Sequence, residues 1–131
     1  MRAREATMRR FRPILEEHDI SEQQWRVLRA LRDADGPLSA GELAETTYLL
    51  GPSLSRMLAS LDGKNLISRA TASDGRTSEI RIAPGGTKLV EAVGPRSEAV
   101  YADIEQRMGA QELADLLFLL DRLAKFDETD P

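Results

Sequence analysis

Ser53, Ser55, Arg56 and Ser60 fall within eight residues behind a Gly51-Pro52 break, and Arg76 follows a Ser73-Asp74-Gly75 turn. Three hydroxyls and a guanidinium on one short segment can donate to phosphate oxygens and to the acceptor edges of bases. A second guanidinium at the tip of a turn can enter a narrow groove of negative potential. Asp74 has a different chemistry. Ionised, it only accepts hydrogen bonds, so it is expected to make the turn with Gly75, to hold the Arg76 guanidinium by a charge-assisted bond, or both.

Other chemistries lack their residues. With no cysteine and one histidine, His18, disulfides, thiol redox sensing, thiolate metal sites, cysteine nucleophiles and multi-histidine metal sites are out. No glycine-rich phosphate loop is present, and the lone His18 has no serine and acid arranged around it. An enzyme is therefore not expected, and neither is a cofactor or metal.

The elements that position these residues are mostly helices. Residues 2–18 carry Met8, Phe11 and Leu15 on one helical face, with Pro13 expected to kink the run or restart it. Ser21 and Gln24 form a capping box flanked by Ile20 and Trp25 as a hydrophobic staple. The helix they open carries Val27, Leu28, Leu31 and Ala34 until Asp35-Gly36-Pro37 stops it. Ser39, Glu42, Leu38 and Leu43 repeat the pattern before a short helix ending near Tyr48. Leu50-Gly51-Pro52 breaks the chain and Pro52 restarts it as a first-turn proline.

From Pro52 to Lys64, Leu54, Leu58 and Leu61 share one side. Pro52, Arg56, Ala59 and Gly63 occupy the other, flanked by Ser55 and Ser60. Asn65 suits a left-handed helix end. Two short strands follow, about Ile67–Ala72 and Thr77–Ala83, joined by the Asp74 turn. A long helical run from Pro84 to about Met108 holds Leu89, Val93, Val100 and Ile104 in register, with a kink expected at Gly94-Pro95.

The last helix, about Gln111–Phe126, is apolar on more than one side, through Leu113, Leu116, Leu117, Phe118, Leu119, Leu120, Leu123 and Phe126. A surface helix needs one apolar stripe, so the surplus asks for a second partner, and another copy of the chain is expected over a helix buried within a monomer.

Helix, short helix, break, helix and hairpin in this order make a mainly α chain with a winged helix-turn-helix. Its second helix would enter the major groove with Arg56, Ser53, Ser55 and Ser60, and its first amides, behind Pro52, would suit a phosphate. Arg76 on the wing would reach the adjacent minor groove.

The segment from Ile67 to Ile82 resembles the wing of the MarR family of bacterial regulators, whose arginine, aspartate, arginine run is matched by Arg69, Asp74 and Arg76. Leu61-Asp-Gly-Lys-Asn-Leu-Ile67 is similar to the family's link from reading helix to wing, with Asn65 where glycine is usual. Ile82-Ala83-Pro84-Gly85-Gly86 departs from the family's leucine-threonine pattern at the start of the long helix. The resemblance spans about residues 3–126. Phe11–His18 and Glu22–Leu31 resemble the subgroup that regulates homoprotocatechuate catabolism.

The resemblance implies a single domain over residues 1–131, with residues 1–20 and 85–131 as dimerisation helices and 21–84 as the DNA-binding lobe. It further implies a homodimer acting as a repressor on pseudo-palindromic duplex DNA, released by a small phenolic or aromatic carboxylate effector. A carboxylate needs a cation and a ring needs a flat wall. Arg12, His18 and Trp25 are the candidates, His18 also lending pH dependence. Against this, Trp25 at a staple position also serves as core, and Arg12 can pair with Glu16 one turn on.

A chain of 131 residues with 41% apolar and 31% charged residues is expected to be one globular, cytoplasmic domain, lacking a membrane span or signal peptide. Net charge is −4, but the acid gathers at the C-terminal end. Residues 51–82 hold Arg56, Lys64, Arg69, Arg76 and Arg81 against Asp62, Asp74 and Glu79, which leaves a basic middle. The competing reading is a winged-helix module that binds protein. It gives no reason to set Arg56 and Arg76 on one surface, and its binding would lack a steep salt dependence.

Overall fold

The structure is a computed structural model that describes residues 1–126. Its elements are α1 (Arg2–Glu17), α2 (Glu22–Asp33), α3 (Ala40–Thr47), α4 (Gly51–Gly63), β1 (Ile67–Thr71), β2 (Ser78–Ile82), α5 (Pro84–Met108) and α6 (Ala110–Ala124). Met1–Arg96 form one compact unit and the chain from Ser97 a second, with α5 contributing residues to both.

Local chemistry sets most boundaries in the first unit. The Ser21 hydroxyl accepts the Gln24 amide at 3.1 Å while the Gln24 side chain accepts the Ser21 amide at 3.0 Å. Ser39 and Glu42 repeat this reciprocal box at the start of α3. Each box satisfies two amides that a helix start leaves unpaired. Tyr48 closes α3 in the left-handed conformation, φ 58°, and Asn65 follows α4 at φ 59°.

Two expectations change. Pro52 is the second residue of α4, because Gly51 already adopts helical geometry behind Leu50. α1 does not restart at Pro13 but runs as one helix through it, and α5 runs through Pro95 as one helix from Pro84 to Met108. Both prolines are exposed, so the carbonyl each leaves unpaired one turn back has access to water.

β1 and β2 pair antiparallel, Ile67 opposite Ile82 and Arg69 opposite Ile80. Leu38 adds a bridge to the far edge of β2, exchanging hydrogen bonds of 3.0 and 2.8 Å with Ile80. The hairpin root is thereby tied to the segment ahead of α3.

The core of this unit is built from Val27, Leu28, Leu43, Leu61, Ile80, Val90 and Val93, all buried. Full burial of each such side chain contributes about 1.5–3 kcal/mol. Phe11, Ile14 and Leu15 bury one face of α1. On α5, Val90 and Val93 are buried, while Leu89 is only partly covered.

α5 begins where Gly86 passes close to the wing link. A Cβ there would lie 2.2 Å from the Leu66 carbonyl oxygen and 2.8 Å from Ile82. The same carbonyl accepts the Ala83 amide at 3.0 Å. This contact is why glycine stands in Ile82-Ala83-Pro84-Gly85-Gly86.

In the second unit, no residue of α6 is buried. Leu116, Leu117, Phe118, Leu119, Leu120, Leu123 and Phe126 are all exposed. Among the described residues, no helix is long and apolar enough to cross a membrane.

Candidate nucleic-acid interface

The exposed side of α4 is defined by its buried side. Leu54, Leu58 and Leu61 pack inward, which turns Pro52, Ser55, Arg56 and Ser60 to solvent, with Ser53 half-covered. Arg56 forms no ion pair among the described residues. Its five donors therefore face solvent unengaged.

Ser60 is held by a residue the sequence did not single out for this. The Gln24 side-chain amide, from the buried face of α2, donates to the Ser60 hydroxyl at 2.9 Å. That hydroxyl keeps its own proton for an outside acceptor. Gln24 thus joins the capping box of α2 to the exposed helix, and fixes where Ser60 sits.

At the hairpin tip, Asp74 does not hold the Arg76 guanidinium. One carboxylate oxygen accepts the backbone amides of Arg76 at 2.8 Å and Thr77 at 2.9 Å, and the other accepts the Thr77 hydroxyl at 2.8 Å. The Thr77 amide, then the Arg76 amide, then the Thr77 hydroxyl hold the carboxyl below the usual aspartate range. The carboxylate points back into its own turn because three donors lie within reach there. Gly75, at φ 73°, supplies the left-handed residue of that turn. The Arg76 side chain is left exposed, without an ion pair among the described residues. Arg69 and Arg81 are also exposed on the strands, Arg81 lying 4.0 Å from Glu79.

The three effector candidates occupy different settings. Arg12 is bound by Glu5, two turns back on α1, through contacts of 2.5 and 3.2 Å, and not by Glu16. A bidentate fork fits residues seven apart on one helix face when both side chains are long. This pairing raises the Arg12 pKa and lowers that of Glu5. Arg12 also lines a recess of about 250 Å³ with Leu15, Glu16, Ile20, Ser21, Glu22 and Gln23. A neighbouring recess of about 290 Å³ shares Glu16, Ile20 and Ser21 and adds Asp19, Gln24 and Lys64. His18 caps the end of α1, partly exposed, and lines neither recess. Trp25 is 9% exposed and belongs to the core.

Sequence reading also missed Arg26. It donates to the Thr47 carbonyl at 2.9 Å and to Glu22 at 3.1 Å, closing the end of α3 from α2. Arginine as a long-range helix cap leaves no local signal.

Known proteins resemble the chain along most of its length. Residues 18–77 match the model of the MarR family. The chain is 36% identical over 129 residues to the HTH-type transcriptional regulator FarR of Neisseria gonorrhoeae, covering 98% of this chain and 88% of that protein. It is 32% identical over 122 residues to the homoprotocatechuate degradative operon repressor of Escherichia coli, covering 92% and 82%. The crystal structure of NadR in complex with 4-hydroxyphenylacetate superposes with a TM-score of 0.80 at 37% identity, over 95% of this chain and 89% of that one. With a winged helix-turn-helix and relatives of this similarity along nearly its whole length, the chain belongs to the MarR family of transcriptional regulators.

Proposed function

We propose that two copies of this chain bind a pseudo-palindromic operator in the cytoplasm as a repressor, and that a small aromatic carboxylate releases them. The observation that carries the reading is the exposed α4 surface with an unengaged Arg56, in the same compact unit as a wing whose Asp74 presents Arg76. In this reading the α4 amides behind Pro52 hold a phosphate. Arg56, with Ser53, Ser55 and Ser60, faces base edges, and Arg76 enters the flanking minor groove.

The effector class rests on the chemistry of the α1–α2 corner and on the relatives. One of these is a repressor of a homoprotocatechuate operon, and another crystallised with 4-hydroxyphenylacetate. Arg12, which lines the recess at that corner, exchanges Glu5 for the ligand carboxylate, while His18 lies outside both recesses and Trp25 belongs to the core. A ligand that prefers the DNA-incompetent spacing of the two lobes by ~3 kcal/mol weakens operator binding about a hundredfold.

The test is selection of duplexes from sheared genomic DNA by the purified protein. Binding to the enriched duplex is then measured against salt and against 4-hydroxyphenylacetate. Two half-sites about one helical turn apart, a steep salt slope and release by the acid are expected. A chain that enriches no duplex would refute the operator reading, and unchanged binding across phenolic and phenylacetic acids would refute the effector.

A further inference from the structure

The turn between α3 and α4 exposes two large side chains that neither the fold nor the reading surface described above uses. Tyr48 is 82% exposed and Leu50 is 78% exposed. Among the described residues of the first unit, only the terminal Met1 is a comparably exposed large apolar side chain. Isolated exposed leucines are ordinary on protein surfaces. Two within three residues, on a unit that otherwise covers its large apolar groups, are not.

Their backbone sharpens the point. Tyr48 closes α3 in the left-handed region, its amide donating to the Ala44 carbonyl at 2.9 Å. Glycine or asparagine takes that position without the steric cost a tyrosine incurs. Leu50 is the N-cap of α4, yet its side chain offers no cap hydrogen bond. Serine, threonine, aspartate or asparagine would suit that position better. Both residues are therefore poor choices for the local structure, and both project into solvent at the leading end of the helix that carries Ser53, Ser55 and Arg56.

We propose that this turn is a base-reading element: Leu50 packs on a thymine methyl in each half-site, and Tyr48 donates its hydroxyl to a flanking backbone phosphate. The proposal rests on the operator reading above. In helix-turn-helix proteins the first residues of the second helix lie against base edges. The major-groove edge of thymine carries a methyl group that apolar side chains contact. A phosphate oxygen accepts from tyrosine hydroxyls. Surface continuity with α4 makes duplex DNA the occupant.

The experiment uses the duplex enriched by the parent protein, with deoxyuridine replacing thymine one position at a time in both half-sites. Deoxyuridine lacks only the methyl group. The parent is expected to lose about three- to fivefold in affinity per half-site at one thymine opposite the start of α4. Leu50→Ala is expected to bind the thymine duplex correspondingly less well and to treat thymine and deoxyuridine alike, with an unchanged melting temperature. Tyr48→Phe should weaken all duplexes about threefold, with base preference intact. A parent that enriches a duplex yet ignores every thymine methyl, or a Leu50→Ala protein that still distinguishes the two bases, overturns the Leu50 assignment alone. Parent-like affinity of Tyr48→Phe overturns the phosphate contact. If the parent enriches no duplex, the operator reading falls and this inference falls with it.

Discussion

Both carboxylate oxygens of Asp74 turn inward on the wing tip, so in the proposed complex this residue would act on DNA only by shaping the loop that carries Arg76. Because hydrogen bonds favour its ionised form, its folded pKa lies below the unfolded value. Its contribution is therefore complete above the usual aspartate range and is lost as pH falls through the lowered pKa. Operator affinity should show no Asp74 transition between about pH 5 and pH 8, and the carboxyl carbon resonance of Asp74 should titrate below that of an unstructured aspartate. Asp74→Ala removes all three acceptor contacts and should weaken operator binding roughly three- to tenfold in an anisotropy titration. Arg76→Ala removes the cation itself. It should weaken binding by roughly 1–3 kcal/mol and make the dependence on log salt shallower by about one unit. Affinity and slope both unchanged would remove Arg76 from the interface.

At the level of elements, the placement of α5 against the wing link depends on a single close approach. Gly86 lies so near the Leu66 carbonyl that any side chain must displace backbone, and that carbonyl also holds the Ala83 amide. Gly86→Ala should destabilise the fold by about 1–3 kcal/mol, seen as a lower urea midpoint at unchanged slope. Gly63, in the last turn of α4, offers the contrast. Nothing lies within 4 Å of the Cβ it would gain. Gly63→Ala should be neutral or stabilising by up to about 1 kcal/mol, since alanine loses less backbone entropy in a helix. If both substitutions had the same effect, the close approach at Gly86 would not be what glycine is there for.

For the molecule as a whole, α6 is the element that demands a partner. Fifteen residues are marginal for an isolated helix in water, and α6 buries none of its side chains. A row of exposed leucines and phenylalanines at this density is the mark of a surface covered in the working state. In the proposed dimer that cover is the second copy, which also sets the spacing of two reading helices. Replacing Leu117 and Leu120 together by glutamate should convert a dimer to a monomer by light scattering. Operator affinity should fall with it, because half-sites are then bound one at a time. A double variant that stays dimeric would move the interface elsewhere.

Much of this was legible in the order of residues, because the rules involved act within one helical turn or one hairpin. The Ser21 and Ser39 capping boxes, the left-handed Asn65, the apolar line of Leu54, Leu58 and Leu61, and the two-stranded wing each follow from neighbours two to four positions apart. At Pro13 the helix continues instead of restarting, since the exposed position lets the freed carbonyl turn to water. What the tertiary structure alone decided is which distant groups meet. It set Gln24 on Ser60, Arg26 on the Thr47 carbonyl, Leu38 against Ile80 and Gly86 beneath Leu66. Those pairings depend on how whole elements pack, so a side chain's neighbours at separations of 20 or more residues leave no periodic or local trace. Asp74 falls between the two cases: its turn was written in the sequence, but only the folded loop decided that backbone amides, not a guanidinium, would claim its charge.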